Sequence, residues 1–200
     1  MRKLALVMSV MMASGAWASP DAGARVAAEA RIDAWFDCIV KADPVTAAAV
    51  ALDTRYDGGF SGRVEKLRRA SARCLDKAGS DAGRMTGILF RGGLARAFWM
   101  AGVAAPAAYV PPSGPVSEAA RTAAANEAGL AGYAGCVLDA APGPAADFAR
   151  ARAGSEAEKA AFAAMDAPLT ACLKPETPLP VSGDRLRAGL ALMLYGRSAG

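Results

Sequence analysis

The chain of 200 residues contains no histidine. That absence removes a histidine general base, a Ser–His–Asp triad, a histidine metal site and a haem held by a proximal imidazole. Aromatic residues make up only 6%, and lysine is scarce beside arginine, 6 against 17. There is no Cys-x-x-Cys spacing, which sets aside a thioredoxin-type redox pair and a zinc ribbon. No stretch alternates large apolar and polar side chains with a period of two, so strands are not expected. What abounds is alanine, with 51 residues. Alanine is the best helix former and lets helices approach closely, but it buries little apolar area per residue. The composition therefore predicts an all-α fold of closely packed helices.

The N-terminus reads Met1-Arg2-Lys3, then an apolar run from Leu4 to Met12, then Ala16-Trp17-Ala18. A basic start, a short apolar stretch and an A-x-A site predict a secretory signal peptide over 1–18. The run is too short to span a bilayer, which takes about 20 apolar residues. No later segment qualifies as a span, since the most apolar one, 97–110, is interrupted by Pro106. Cleavage after Ala18 removes two of the 23 basic residues and leaves 21 against 19 acids, a balance of +2. That is not the footprint of a nucleic-acid binder. The expected destination is the periplasm or the exterior of a bacterium.

Cys38 and Cys74 are 36 residues apart, and so are Cys136 and Cys172. A shift of 98 residues overlays the pairs and carries Glu29 onto Glu127, Trp35 onto Tyr133, Pro44 onto Pro142 and Leu67 onto Met165. With a two-residue gap, Arg91-Gly92-Gly93-Leu94-Ala95 overlays Arg187-Ala188-Gly189-Leu190-Ala191. The spacing predicts an internal duplication: a helical repeat over 19–103, a proline-rich linker over 104–117 and a second repeat over 118–200. Each repeat reads as four helices. Asp43-Pro44 is an N-cap followed by proline at the first helical position. The Gly-rich stretch 57–62 is expected to break the pattern. A third helix is expected to reach Lys77, with Gly79 just beyond it and Asp81 capping the fourth. Ser155 and Glu158 form a capping-box pattern, and Ser182 is placed to cap the last helix.

Four cysteines allow three pairings, and the duplication selects Cys38–Cys74 with Cys136–Cys172. In an exported protein, disulfides are favoured over a four-thiolate metal site. Without histidine, no thiol has the partner a cysteine nucleophile needs.

Two groups of polar residues stand out. Glu29 with Arg91, echoed by Glu127 with Arg187, predicts either an ion pair between the first and fourth helices of each repeat or the lining of a ligand pocket. Gly92, Gly93 and Gly189 lie inside predicted helices, where close backbone approach offsets their cost of about 1 kcal/mol against alanine. The run 63–73 holds Arg63, Lys66, Arg69 and Arg73, a solvated face or a contact for an anionic surface. Trp35, Trp99, Tyr133 and Tyr195 fall on apolar stripes and are expected in the core. No cofactor or metal is implied. These readings favour an exported, non-enzymatic binding or interaction module, its partner class an envelope protein or an anionic surface. The contrasting class is a helical enzyme using Arg, Lys and Glu without metal or histidine.

Overall fold

The computed structural model describes residues 22–56, 58–77, 85, 87–107, 115–173 and 182–198. The expected signal segment, the middle of the linker, Gly79 and Asp81 lie outside the described residues. Among the described residues every regular element is helical. The first half contains α1 (Ala22–Ala42), α2 (Pro44–Leu52), α3 (Gly58–Ala70), a 3₁₀ segment (Ala72–Lys77) and α4 (Gly87–Met100). The second contains α5 (Glu118–Ala140), α6 (Pro142–Arg150), α7 (Glu156–Ala164), α8 (Asp166–Ala171) and α9 (Gly183–Arg197).

Local signals account for most boundaries. Asp43 caps α2 by accepting the Thr46 N–H at 3.0 Å, and Pro44 follows where no amide donor is missed. Ser117, Ser155 and Ser182 cap α5, α7 and α9 in the same way. α3 departs from expectation by starting inside the Gly-rich stretch. Buried Phe60 explains it: its ring packs edge-on against Tyr56 at 4.6 Å, so tertiary packing holds turns that glycine alone would not favour. The third helix also ends early. Ser71, fully buried, donates its hydroxyl to the Leu67 carbonyl at 2.6 Å, and the chain continues as 3₁₀ through Cys74. The corresponding helix of the second half is likewise divided, at Met165.

Both disulfides are the pairs the spacing selects. Cys38–Cys74 ties α1 to the 3₁₀ segment, and Cys136–Cys172 ties α5 to the end of α8, with Cα–Cα distances of 5.7 and 5.9 Å. One hydrophobic cluster centres on Trp35, Phe36, Ile39, Phe90 and Leu94. Another centres on Val137, Phe148, Met165, Leu186 and Leu190. Trp35, Tyr133 and Tyr195 are buried, as the apolar stripes imply. Trp99 is half-buried beneath the Arg150 guanidinium, 4.6 Å from its ring centroid.

The halves meet along α4 and α9. A β-carbon added to Gly92 would lie 2.4 Å from the Ala188 Cβ and 2.5 Å from its Cα, so the two helix backbones are nearly in contact. Phe98 and Tyr195 stack with centroids 5.2 Å apart and planes at 10°. Each helix also reaches into the other half: Tyr195 belongs to the first cluster and Ile88 to the second. Arg96 adds a polar tie. It pairs with Asp33 of α1 and donates to the carbonyls of Ala149 and Arg150 at the end of α6. A guanidinium at a helix C-terminus satisfies carbonyls that have no intrahelical donor.

Candidate functional site

The polar residues singled out in the sequence gather where the halves meet, but in a different pairing. Arg91, on α4, forms its ion pair with Glu127 of α5. The sequence overlay instead predicts Glu29, on α1 of the same half. Helical periodicity fixes which face of α4 carries Arg91. The crossing of α4 with α9, which brings α5 alongside, fixes what that face meets.

Around Arg91 the network is dense. Its Nε donates to the Ala51 carbonyl at 3.1 Å, and its guanidinium lies 5.6 Å from the centroid of the Tyr56 ring. Arg91 is 4% exposed and Glu127 13%. Asp53, fully buried, pairs with Arg63 and accepts the Arg55 N–H at 2.9 Å. Burial, reinforced by the Asp53 carboxylate, pushes the Glu127 carboxyl up to about 8. Tyr56 completes the cluster from the left-handed region, with φ of 50°. Its hydroxyl is buried and finds no hydrogen-bond partner among the described residues. The sequence singled out Arg91, Glu127 and Arg63 but not Asp53 or Tyr56. Only the end of α2 brings those two to the joint.

The counterpart on α9 is arranged otherwise. Arg187, 8% exposed, pairs with Glu158 of α7 and Asp184 of its own helix. Its guanidinium also sits 5.2 Å from the Phe148 ring centroid. Its Nε has no hydrogen-bond partner among the described residues. Beside Arg187 a cleft of about 200 Å³ opens between α1, α4 and the first turns of α9. Glu29 and Asp33 line it from α1, Leu89 from α4, and Asp184 and Arg187 from α9. Glu29 and Arg187 thus share one cavity, although they come from opposite halves.

The glycines serve packing. Gly92 admits Ala188, and a β-carbon on Gly93 would lie 2.1 Å from the Phe36 ring. The basic run is divided by the fold. Arg63 is turned inward to Asp53, while Lys66, Arg69 and Arg73 remain exposed on one side of α3 and the 3₁₀ segment. Arg69 lies 4.0 Å from Glu65, and Lys66 acts electrostatically on Asp43. Acids therefore interleave with this face.

Among the described residues no cluster of three or more His, Cys, Asp or Glu is arranged to hold a metal ion. No described helix is long and apolar enough to cross a membrane. No protein-family model, curated protein or solved structure matches the chain.

Proposed function

We propose that this chain is an exported bacterial binding module, made by doubling one disulfide-locked four-helix unit, with a small-molecule site in the cleft between its halves. The observation that carries the reading is the cleft itself, lined by α1 and α4 on one side and α9 on the other. A site between two units is a common place for a ligand, and this one combines an apolar floor with a few charged groups. Its volume of about 200 Å³ falls below the ~300–1,000 Å³ of sites for drug-sized molecules, so the ligand class is small.

The doubling is supported by the element bounds. α2 and α6 begin and end 98 residues apart, at Pro44–Leu52 and Pro142–Arg150. α4 and α9 begin 96 residues apart, at Gly87 and Gly183. Gly92 and Ala188, equivalent under that shift, touch each other across the α4–α9 crossing. A residue meeting its own equivalent is the mark of a two-fold arrangement. Export is supported by the basic–apolar–A-x-A N-terminus and by two disulfides, which persist in oxidising compartments.

The test is a thermal-shift survey of the purified protein against small metabolites. The expected result is a compound that raises the Tm with increasing concentration. A flat response to every compound overturns the reading. Export is checked separately, by a mature N-terminus at Ser19 and no titratable thiol.

A second reading, a helical enzyme, is supported by two neighbouring observations: the raised carboxyl of Glu127 beside Arg91 and the unbonded Tyr56 hydroxyl. Turnover of a substrate by the native chain that is lost in Glu127→Gln, with the circular dichroism spectrum retained, would establish it in place of the first.

A further inference from the structure

The joint at Arg91 and Glu127 is closed by their ion pair, whereas the cleft beside Arg187 stays open. Packing already present keeps it from closing. The α4 and α9 backbones are nearly in contact at Gly92 and Ala188, so these helices cannot draw nearer. The Phe36 ring rests on Gly93 and sets the distance from α1 to α4. Asp33 of α1 is tied to Arg96 of α4 at 2.6 Å. The walls are therefore fixed before a ligand arrives, and a fixed site loses little free energy to ordering.

We infer that this cleft takes a neutral, apolar small molecule, about the size of a single six-membered ring, and disfavours charged ones. This rests on the cleft being a binding site, as proposed above, and names the ligand class. Two observations define that class. First, the charged groups lining the cleft are already partnered. Asp33 is paired with Arg96, which also donates to the carbonyls of Ala149 and Arg150. Arg187 is paired with Glu158 and Asp184, and its Nε is a buried atom. Glu29 has an interaction of its own. A charged ligand would shed its hydration without meeting a free counter-group, or would have to break one of these pairs. Second, the surface between the pairs is apolar. Ile32, Phe36, Met85, Leu89 and Ala188 supply it, around a volume of about 200 Å³. An apolar cavity of ~150 Å³ lined by Leu, Ile and Phe holds benzene. Burial of apolar area is non-directional and needs no free donor or acceptor, so a neutral ring gains it without a counter-group.

The experiment is titration of the full chain with toluene, benzylammonium and benzoate, followed by ligand-observed NMR. The three share one ring and differ in charge. Toluene is expected to bind, with each charged analogue at least about tenfold weaker, the equivalent of about 1.4 kcal/mol. Leu89→Trp, which fills the cleft from α4, is expected to abolish toluene binding while the circular dichroism spectrum is retained. Ile32→Trp, which fills it from α1, is expected to do the same and serves if α4 does not tolerate tryptophan. Both positions are half-buried. A charged analogue that binds as tightly as toluene, or toluene binding that survives a folded tryptophan variant, overturns the neutral-ring assignment. If toluene fails but a charged or larger molecule binds and is lost in a folded tryptophan variant, the ligand class falls and the cleft reading stands. If nothing in a wider set is lost in such a variant, both fall.

Discussion

Arg91 and Arg187 occupy corresponding turns of α4 and α9, and both are almost fully buried. One is locked to the opposite half through Glu127, while the other is held by Glu158 and Asp184 within its own half. The difference shows how the same turn of two helices can meet different environments. The first half supplies Asp53, Tyr56 and Arg63 around the joint; the positions 98 residues later hold Ala151, Gly154 and Ala161. Polar and aromatic side chains fill one joint. Beside Arg187 a cavity is lined by Glu29, Asp33, Leu89 and Asp184.

The largest effects should come from the two disulfides. Each closes a loop with a sequence separation of 36, so the chain-entropy model assigns both the same stabilisation, about 4 kcal/mol. Replacing each pair by serine should therefore lower urea stability by similar amounts. A large asymmetry would show that one half depends on native packing around its bridge and the other on loop closure.

Next come the glycines that seat the helices. Gly93→Ala must displace the Phe36 ring and should cost about 1–3 kcal/mol. At Gly189 an added β-carbon would lie 3.1 Å from the Ala134 methyl and at ordinary contact distance, 3.6 and 3.7 Å, from Leu130. There the gain in helix propensity, about 1 kcal/mol, offsets the crowding, and Gly189→Ala should leave the denaturation midpoint nearly unchanged. Equal costs at the two sites would contradict the difference in packing.

The closed joint should also carry a pH signature. The Glu127 carboxyl rises from 4.5 in the unfolded chain to about 8 in the fold. The folded state then holds the proton more tightly, so this contribution is full below pH 4.5 and is lost as pH rises through 8. The Tm should fall between neutral and mildly alkaline pH, and Glu127→Gln should flatten that slope.

The smallest effects separate the caps of α2 and α6. Asp43 bonds the Thr46 amide, whereas Ala141, with nearly the same backbone angles, offers no side-chain cap. Asp43→Ala should cost about 1 kcal/mol and Ala141→Ser should gain part of that amount, read from denaturant midpoints.

Much of the architecture was legible because it rests on local chemistry or on constraints that repeat. Serine caps, Pro44 after Asp43, and two cysteine pairs at equal spacing are features of neighbouring or covalently linked residues. The start of α3 at Gly58 was not legible, because Phe60 is anchored by a contact with Tyr56 that belongs to the fold. The pairing of Arg91 was hidden for the same reason. Periodicity places a side chain on a helix face and says nothing of which helix lies opposite.

By itself, the sequence determined the helical class, the cysteine partners and the glycines at which helices touch, since alanine content, loop spacing and the missing β-carbon act within the chain or close to it. Only the tertiary structure decided that Arg91 reaches across to Glu127 and that Arg187 stands beside a cavity. Those outcomes depend on how α4 and α9 cross, and that crossing is set by the summed packing of two cores rather than by any short stretch of residues.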